Sequence, residues 1–313
     1  MLERLSEEKR YALTIEAGKG KGDIPTHVDT YMSEKAPTIA DTSRDEWKRQ
    51  GENVKKAFKD WNVEQVDTAA VYDFLMDNWA KKLHMQRVMR AWLSGFFSWC
   101  ILRRLTKVNP CKELKLKKPK KRKVYIPDNH FIAIRDALLI GDDGKKTPTG
   151  EMMQCFVDLY YLTLQRSTEI RLLQRSHIEC KIIHFLPSKT QDSSGEAVDV
   201  PVTPEIDAVL ERARKLQPLS DYVIRDKHGN AKTVAAIRDA WNDAKRRAGL
   251  KDKPYTVKDI RAKALTDAEK MGYSKEELRV AAAHTSQETT EIYLKNKQIP
   301  VSNVRLQMPT LKK

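Results

Sequence analysis

At 313 residues, 40% hydrophobic and 32% charged, the chain has room for two domains with cores of their own, and its composition excludes a disordered or fibrous protein. Its 58 Lys and Arg against 43 Asp and Glu leave a net charge of +15, which calls for a polyanionic partner, and without a long apolar run or a basic amphipathic helix nucleic acid fits better than a membrane. Cys100, Cys111, Cys155 and Cys180 lack the close pairing of a zinc site or a disulfide framework, and Met1 to Arg10 is charged throughout, unlike a secretory leader, so the expectation is a cytoplasmic protein with reduced thiols.

Residues 1–24 are polar, and Gly18-Lys19-Gly20-Lys21-Gly22 resists both helix and strand, which predicts a flexible arm. From Pro25 to Leu116 the pattern is helical, with helices expected over Ser43 to Asp60, Thr68 to Lys82 and His84 to Leu105. Met85, Val88, Trp92, Phe96 and Trp99 recur at three- and four-residue steps, so they read as a core face rather than as base-stacking aromatics. Arg87, Arg90, Arg103, Arg104 and Lys107 lie off that stripe, where they can reach a phosphate backbone. Residues 117–126 hold the end of a charge run that includes Lys120, Lys121, Arg122 and Lys123; like charges extend it, and it reads as a basic linker between domains, although it also resembles a nuclear localisation signal.

Residues 127–295 form the second expected domain. A helix to Leu139 and an apolar helix from Glu151 to Leu164 precede three short strands, Ile178 to Cys180, Ile182 to Leu186 and Val198 to Val202, with Lys189 in the turn between the last two. Helices are then expected from Thr203 to Lys215, from Thr233 to Ala248 and, with Thr256 as N-cap and Asp259 as its acidic partner, from Thr256 to Met271. Ser274 with Glu277 and Thr285 with Glu288 resemble capping boxes for two further helices, with His284 at their junction and Tyr293 on the second. Residues 296–313 lose periodicity, but Ile299, Val301, Val304, Leu306 and Met308 are too apolar for a solvated tail and must pack on this domain or on a neighbouring subunit.

Lys258 and Arg261 stand three residues apart at a helix start, where the dipole disfavours cations, an arrangement that suits a bound anion. Each alone reads as a solvated charge, His284 alone as a junction histidine, and Tyr293 alone as a packing residue. Together with Arg166 in Leu164-Gln165-Arg166-Ser167-Thr168-Glu169 and with Lys189 in Ser188-Lys189-Thr190, they resemble in order and spacing the tyrosine recombinases of the phage integrase family. In that resemblance Arg166 opens the arginine-x-x-glutamate pattern that ends at Glu169, Lys189 is the turn lysine, Lys258 and Arg261 are the paired box, His284 is the last histidine and Tyr293 the nucleophile.

The resemblance covers residues 25 to 295 and implies a mainly α fold with a small antiparallel β-sheet, arranged as a two-domain DNA clamp of a helical core-binding domain and a tyrosine-recombinase catalytic domain. It also implies strand exchange through a 3′-phosphotyrosyl intermediate without metal or nucleotide cofactor, Glu169 as an orienting neighbour, double-stranded recombination sites as substrate, a homotetramer at synapsis, and accessory DNA-bending or directionality proteins. This chain departs from the family pattern at Lys258, where histidine is commoner, at Gln165, in a stretch where glycine is frequent, at Ala262, where another histidine is usual, and at Ala283, which replaces glycine. A positive φ at Ala283 would strain the backbone. A type IB topoisomerase would use the same constellation, and a non-catalytic helical DNA-binding protein would account for the charge alone.

Overall fold

The computed structural model describes residues 22–119, 124–186, 197–216, 218–283 and 302–309. Lys189, His284, Tyr293, Lys120, Lys121, Arg122, Lys123, the 285/288 capping box and most of the amino-terminal arm lie outside these residues. The chain divides into two compact units, residues 1–122 and 123–313. As expected, the fold is mainly α with one small antiparallel sheet.

The first unit is built from α1 (Ile24–Lys35), α2 (Asp41–Ala57), α3 (Thr68–Trp79) and α4 (Leu83–Leu102). No separate helix was expected at α1, yet the signal is there: Pro25 sits in the first turn, and Ile24, Val28 and Tyr31 are buried at helical spacing. Gly22 is no spacer, because a Cβ on it would meet the Trp61 backbone nitrogen at 2.2 Å, and the Ile24 amide next door donates to the Trp61 carbonyl. On α4, Trp92, Phe96 and Trp99 are buried, with ring centroids 5.4 to 5.7 Å from Tyr31 of α1, while Met85 and Val88 are half-buried.

The second unit is organised on α6 (Gly150–Thr163), whose residues are nearly all buried, as a helix apolar on every side must be. Around it lie α5 (Asp128–Asp136), the short α7 (Ser167–Arg171), α8 (Pro204–Lys215), α9 (Val234–Arg247), α10 (Lys258–Lys270) and α11 (Lys275–Ala281). The strands β1 (Ile178–Glu179), β2 (Ile182–Phe185) and β3 (Val198–Pro201) pair in the order β1-β2-β3. Ile183 opposite Val200 and Phe185 opposite Val198 face the core, and His184 opposite Asp199 faces outward, the alternation a half-buried strand requires.

The start of α10 differs from expectation. Thr256 does not cap it: the helix begins at Lys258, and the Asp259 carboxylate accepts from the Thr256 amide at 2.6 Å and its hydroxyl at 2.9 Å. The pair exists with its roles reversed, because a tight turn bonds the Asp259 amide to the Thr256 carbonyl and brings the carboxylate back onto the Thr256 amide and hydroxyl. The capping box of Ser274 and Glu277 forms as expected. Near the carboxyl end, the Ser302 amide donates to the Asp199 carbonyl of β3, and Val304 and Leu306 are buried in this unit's own core.

Candidate active site

The apolar helix α6 stops because Leu164 adopts a left-handed conformation (φ 61°), which turns the chain out of the helix just before Gln165 and Arg166. A residue fully buried at such a φ is strained. Arg166 then serves as the extended N-cap residue of α7, which puts Glu169 one turn further on, itself buried. From a different part of the chain, α10 contributes Arg261, 8% exposed.

Three consecutive carbonyls at the end of α11 receive these side chains. The Gln165 amide donates to Ala281 O at 2.6 Å, Arg261 Nη2 to Ala282 O at 2.5 Å and Arg166 Nη2 to Ala283 O at 3.3 Å. Exposed carbonyls at a helix C-terminus carry partial negative charge, so they suit guanidinium donors. Burial, and next the like charge of Arg166, push the Arg261 guanidinium down to about 10, while Tyr160 and Glu169 act the other way. It remains a cation at neutral pH.

Two guanidinium groups that repel one another at a largely buried place are each favoured by an anion beside them. Consistent with this, Arg166 Nη1 is buried and has no hydrogen-bond partner among the described residues. The Tyr160 hydroxyl lies against Ser167 and Arg261, and its pKa is raised by burial against their opposing pull.

The structure thus brings Arg166, Arg261 and Glu169 together. Lys258 is exposed at the first residue of α10, so it does not share the buried environment of Arg261 one turn later. In the first unit Arg87, Arg104 and Lys107 are exposed. Arg90 instead donates to the Cys111 carbonyl at 3.0 Å, and Arg103 pairs with Glu34 at 2.5 Å with its guanidinium 4.1 Å from the Trp99 ring centroid, so both have structural partners. Sequence reasoning gave no role to Tyr160 and treated Gln165 only as a departure, because neither lies on a periodic pattern.

Ala283 has φ 46°, the left-handed conformation its family position called into question. Glycine there would relieve about 1–2 kcal/mol of left-handed strain but lose about 0.8 kcal/mol for a buried methyl and 0.5–1 kcal/mol of backbone entropy. Ala283→Gly is therefore expected to leave the urea midpoint nearly unchanged. Ala281→Gly, equally buried but helical, has no strain to relieve and should lose about 1.5–2 kcal/mol. Equal losses in the two variants would show that residue 283 is not left-handed in solution.

The family model described as the phage integrase family matches residues 135–298. Among solved structures, the chain is similar to a lambda integrase dimer bound to a COC′ core site, at 16% identity and a TM-score of 0.72 over 87% of this chain and 98% of that one. A lambda integrase tetramer bound to a Holliday junction matches at 16% identity and a TM-score of 0.73, over 84% of this chain and 75% of that one. The Tn1549 transposon integrase in complex with circular intermediate DNA matches at 10% identity and a TM-score of 0.68, over 84% and 92%. No curated protein matches the chain. At these identities the solved structures speak for the fold, but the family match spans more than half of the 313 residues and includes both converging arginines, and on that ground the chain belongs to the phage integrase family, the tyrosine-type site-specific DNA recombinases.

Proposed function

We propose that the protein cuts and rejoins double-stranded DNA at specific recombination sites through a covalent 3′-phosphotyrosyl intermediate. The observation that carries this reading is the pairing of Arg166 and Arg261 on the neighbouring carbonyls of Ala283 and Ala282, where two guanidinium groups repel one another at a site suited to a phosphate. The Tyr293 oxygen attacks the scissile phosphorus and forms the new ester as the bond to the 5′ oxygen breaks. Arg166 and Arg261 hold the nonbridging oxygens and offset the charge that grows on them. Lys189 delivers a proton to the departing 5′ oxygen, while His284 and Lys258 assist through hydrogen bonds and by taking up the tyrosine proton. Glu169 orients the arginine pair. Because the phosphotyrosyl ester conserves the energy of the broken bond, rejoining needs neither metal nor nucleotide.

In this reading residues 25–116 are the core-binding domain and 127–295 the catalytic domain, and the linker expected over 117–126 gives way at Val124 to residues packed in the second unit, with a homotetramer at synapsis and accessory proteins setting direction. The exposed Arg87, Arg104 and Lys107, with Lys120 to Lys123, contact phosphates. Mapping covalent protein–DNA junctions across a genome, then reproducing the adduct on a nicked duplex of the mapped sequence, tests the proposal. Adducts without synapsis of two sites would favour topoisomerase-like relaxation, and no adduct at all would leave a DNA-binding protein.

Binding itself is expected to be steeply salt-dependent. A duplex held through on the order of six to ten phosphates loses about 10³- to 10⁵-fold in affinity between about 50 and 200 mM salt. A flat response in fluorescence anisotropy would contradict so large a phosphate footprint.

A further inference from the structure

A second buried charge cluster sits on α10, outside the machinery described above. The side chain of Lys263 is wholly buried, its ammonium hydrogen-bonded to Asp128 and 2.8 Å from Asp267. The rings of Tyr125, Phe131 and Tyr161 surround it, with centroids 4.9, 5.6 and 5.8 Å away. Both Asp267 oxygens are in turn occupied, one by the Tyr125 hydroxyl at 2.6 Å and the other by that of Tyr161 at 2.9 Å. Tyr125 also receives the Lys270 ammonium over its ring at 4.1 Å. The network closes on itself and joins four pieces of chain: the segment before α5, α5, α6 and α10.

Stability alone does not require a lysine here. A buried ion pair rarely adds more than a well-packed apolar side chain of the same size would, and Met in this aromatic cage would fill it without desolvating a charge. Burial by itself would lower the Lys263 pKa, yet the two carboxylates raise it, so the residue stays an ammonium with directed bonds. Directed bonds fix what apolar packing leaves loose, namely the rotation and slide of α10. Residues 261 and 263 are separated by about 200° around a helix, so the network grips the side of α10 opposite Arg261. On that other side the like charge of Arg166 acts on Arg261.

We propose that Lys263 is a positioning residue for Arg261, and that it makes the alignment of this guanidinium depend on the seating of Tyr125 and Asp128, the segment that leaves the basic run. The inference rests on the recombinase reading above. Tyr125 and Asp128 stand two and five residues after Lys123 in the sequence. An arginine displaced by about 1 Å loses on the order of 10²-fold in rate without losing its charge.

The test is single-turnover adduct formation on the nicked duplex, at saturating DNA, with the dissociation constant measured in parallel. Lys263→Met is expected to slow adduct formation about 10- to 100-fold with an unchanged dissociation constant, and Tyr125→Phe and Asp128→Asn to slow it in the same sense. Combining Lys263→Met with Tyr125→Phe should be no slower than Lys263→Met alone, because both changes break one network. Should Lys263→Met fail to fold, Asp128→Asn decides, since the Asp128 side chain is 53% exposed and tolerates the amide. Wild-type rates in the variants, or affinity that falls in step with rate, would overturn the positioning role. Wild-type protein run alongside separates the two failures: no adduct from it sinks the recombinase reading, whereas equal adduct from it and from every variant sinks only the role of Lys263.

Discussion

Tyr293→Phe is expected to abolish the covalent adduct, by at least about four orders of magnitude, while DNA affinity and thermal stability stay at wild-type values. Only one oxygen is removed, and a phenyl ring keeps the packing of a tyrosine. Among the described residues Tyr160 lies against Arg261, but it is buried, engaged with Ser167 and made harder to ionise by its burial. Tyr160→Phe should accordingly retain the adduct. The measurement is detergent-resistant protein–DNA complex on a nicked duplex, and adduct from Tyr293→Phe would remove the nucleophile assignment.

Arg166→Ala and Arg261→Ala are each expected to slow cleavage by about two to four orders of magnitude, the scale of losing one charge-stabilising donor in a transition state, about 3–5 kcal/mol. Affinity for duplex DNA should change far less, because phosphate contacts spread over the rest of the footprint carry most of it. The two variants should differ in stability. Removing Arg261 leaves the Ala282 carbonyl without its donor but also relieves the repulsion between this buried cation and the half-buried Arg166, so its folding cost is small for so buried a residue. Lysine at either position should not restore the rate, since a single ammonium cannot span two oxygens as the planar fork does. Equal losses of binding and cleavage would mark both arginines as phosphate anchors and nothing more.

Some of this was legible in the residues because it is local. The apolar run of α6, the capping box of Ser274 and Glu277, and the alternation of Ile183, Phe185, Val198 and Val200 follow from side-chain spacing along a single element. Other features escaped because they depend on what comes to meet them. Gly22 reads as the end of a flexible run until the Trp61 backbone closes on it. Thr256 and Asp259 have the right spacing for a cap, but which of them accepts is decided by the turn between them. Arg90 and Arg103 lie off the apolar stripe, as a DNA contact would, and only the fold shows the Cys111 carbonyl and Glu34 already bound to them.

By itself the sequence determined the family and the identity and order of the chemical groups, because guanidinium, imidazole and phenol at set intervals are properties of the chain that survive unfolding. What only the tertiary structure decided is how those groups act on one another. Arg166 and Arg261 are 95 positions apart by their numbering, and nothing in either neighbourhood says that one will lower the other's pKa. Their meeting depends on the αL turn at Leu164, which sends Arg166 out of α6, and on the carbonyls of Ala282 and Ala283 past α11, a contact between distant segments. Electrostatic repulsion and desolvation arise from distance and burial, and those quantities come into being only when the chain is packed.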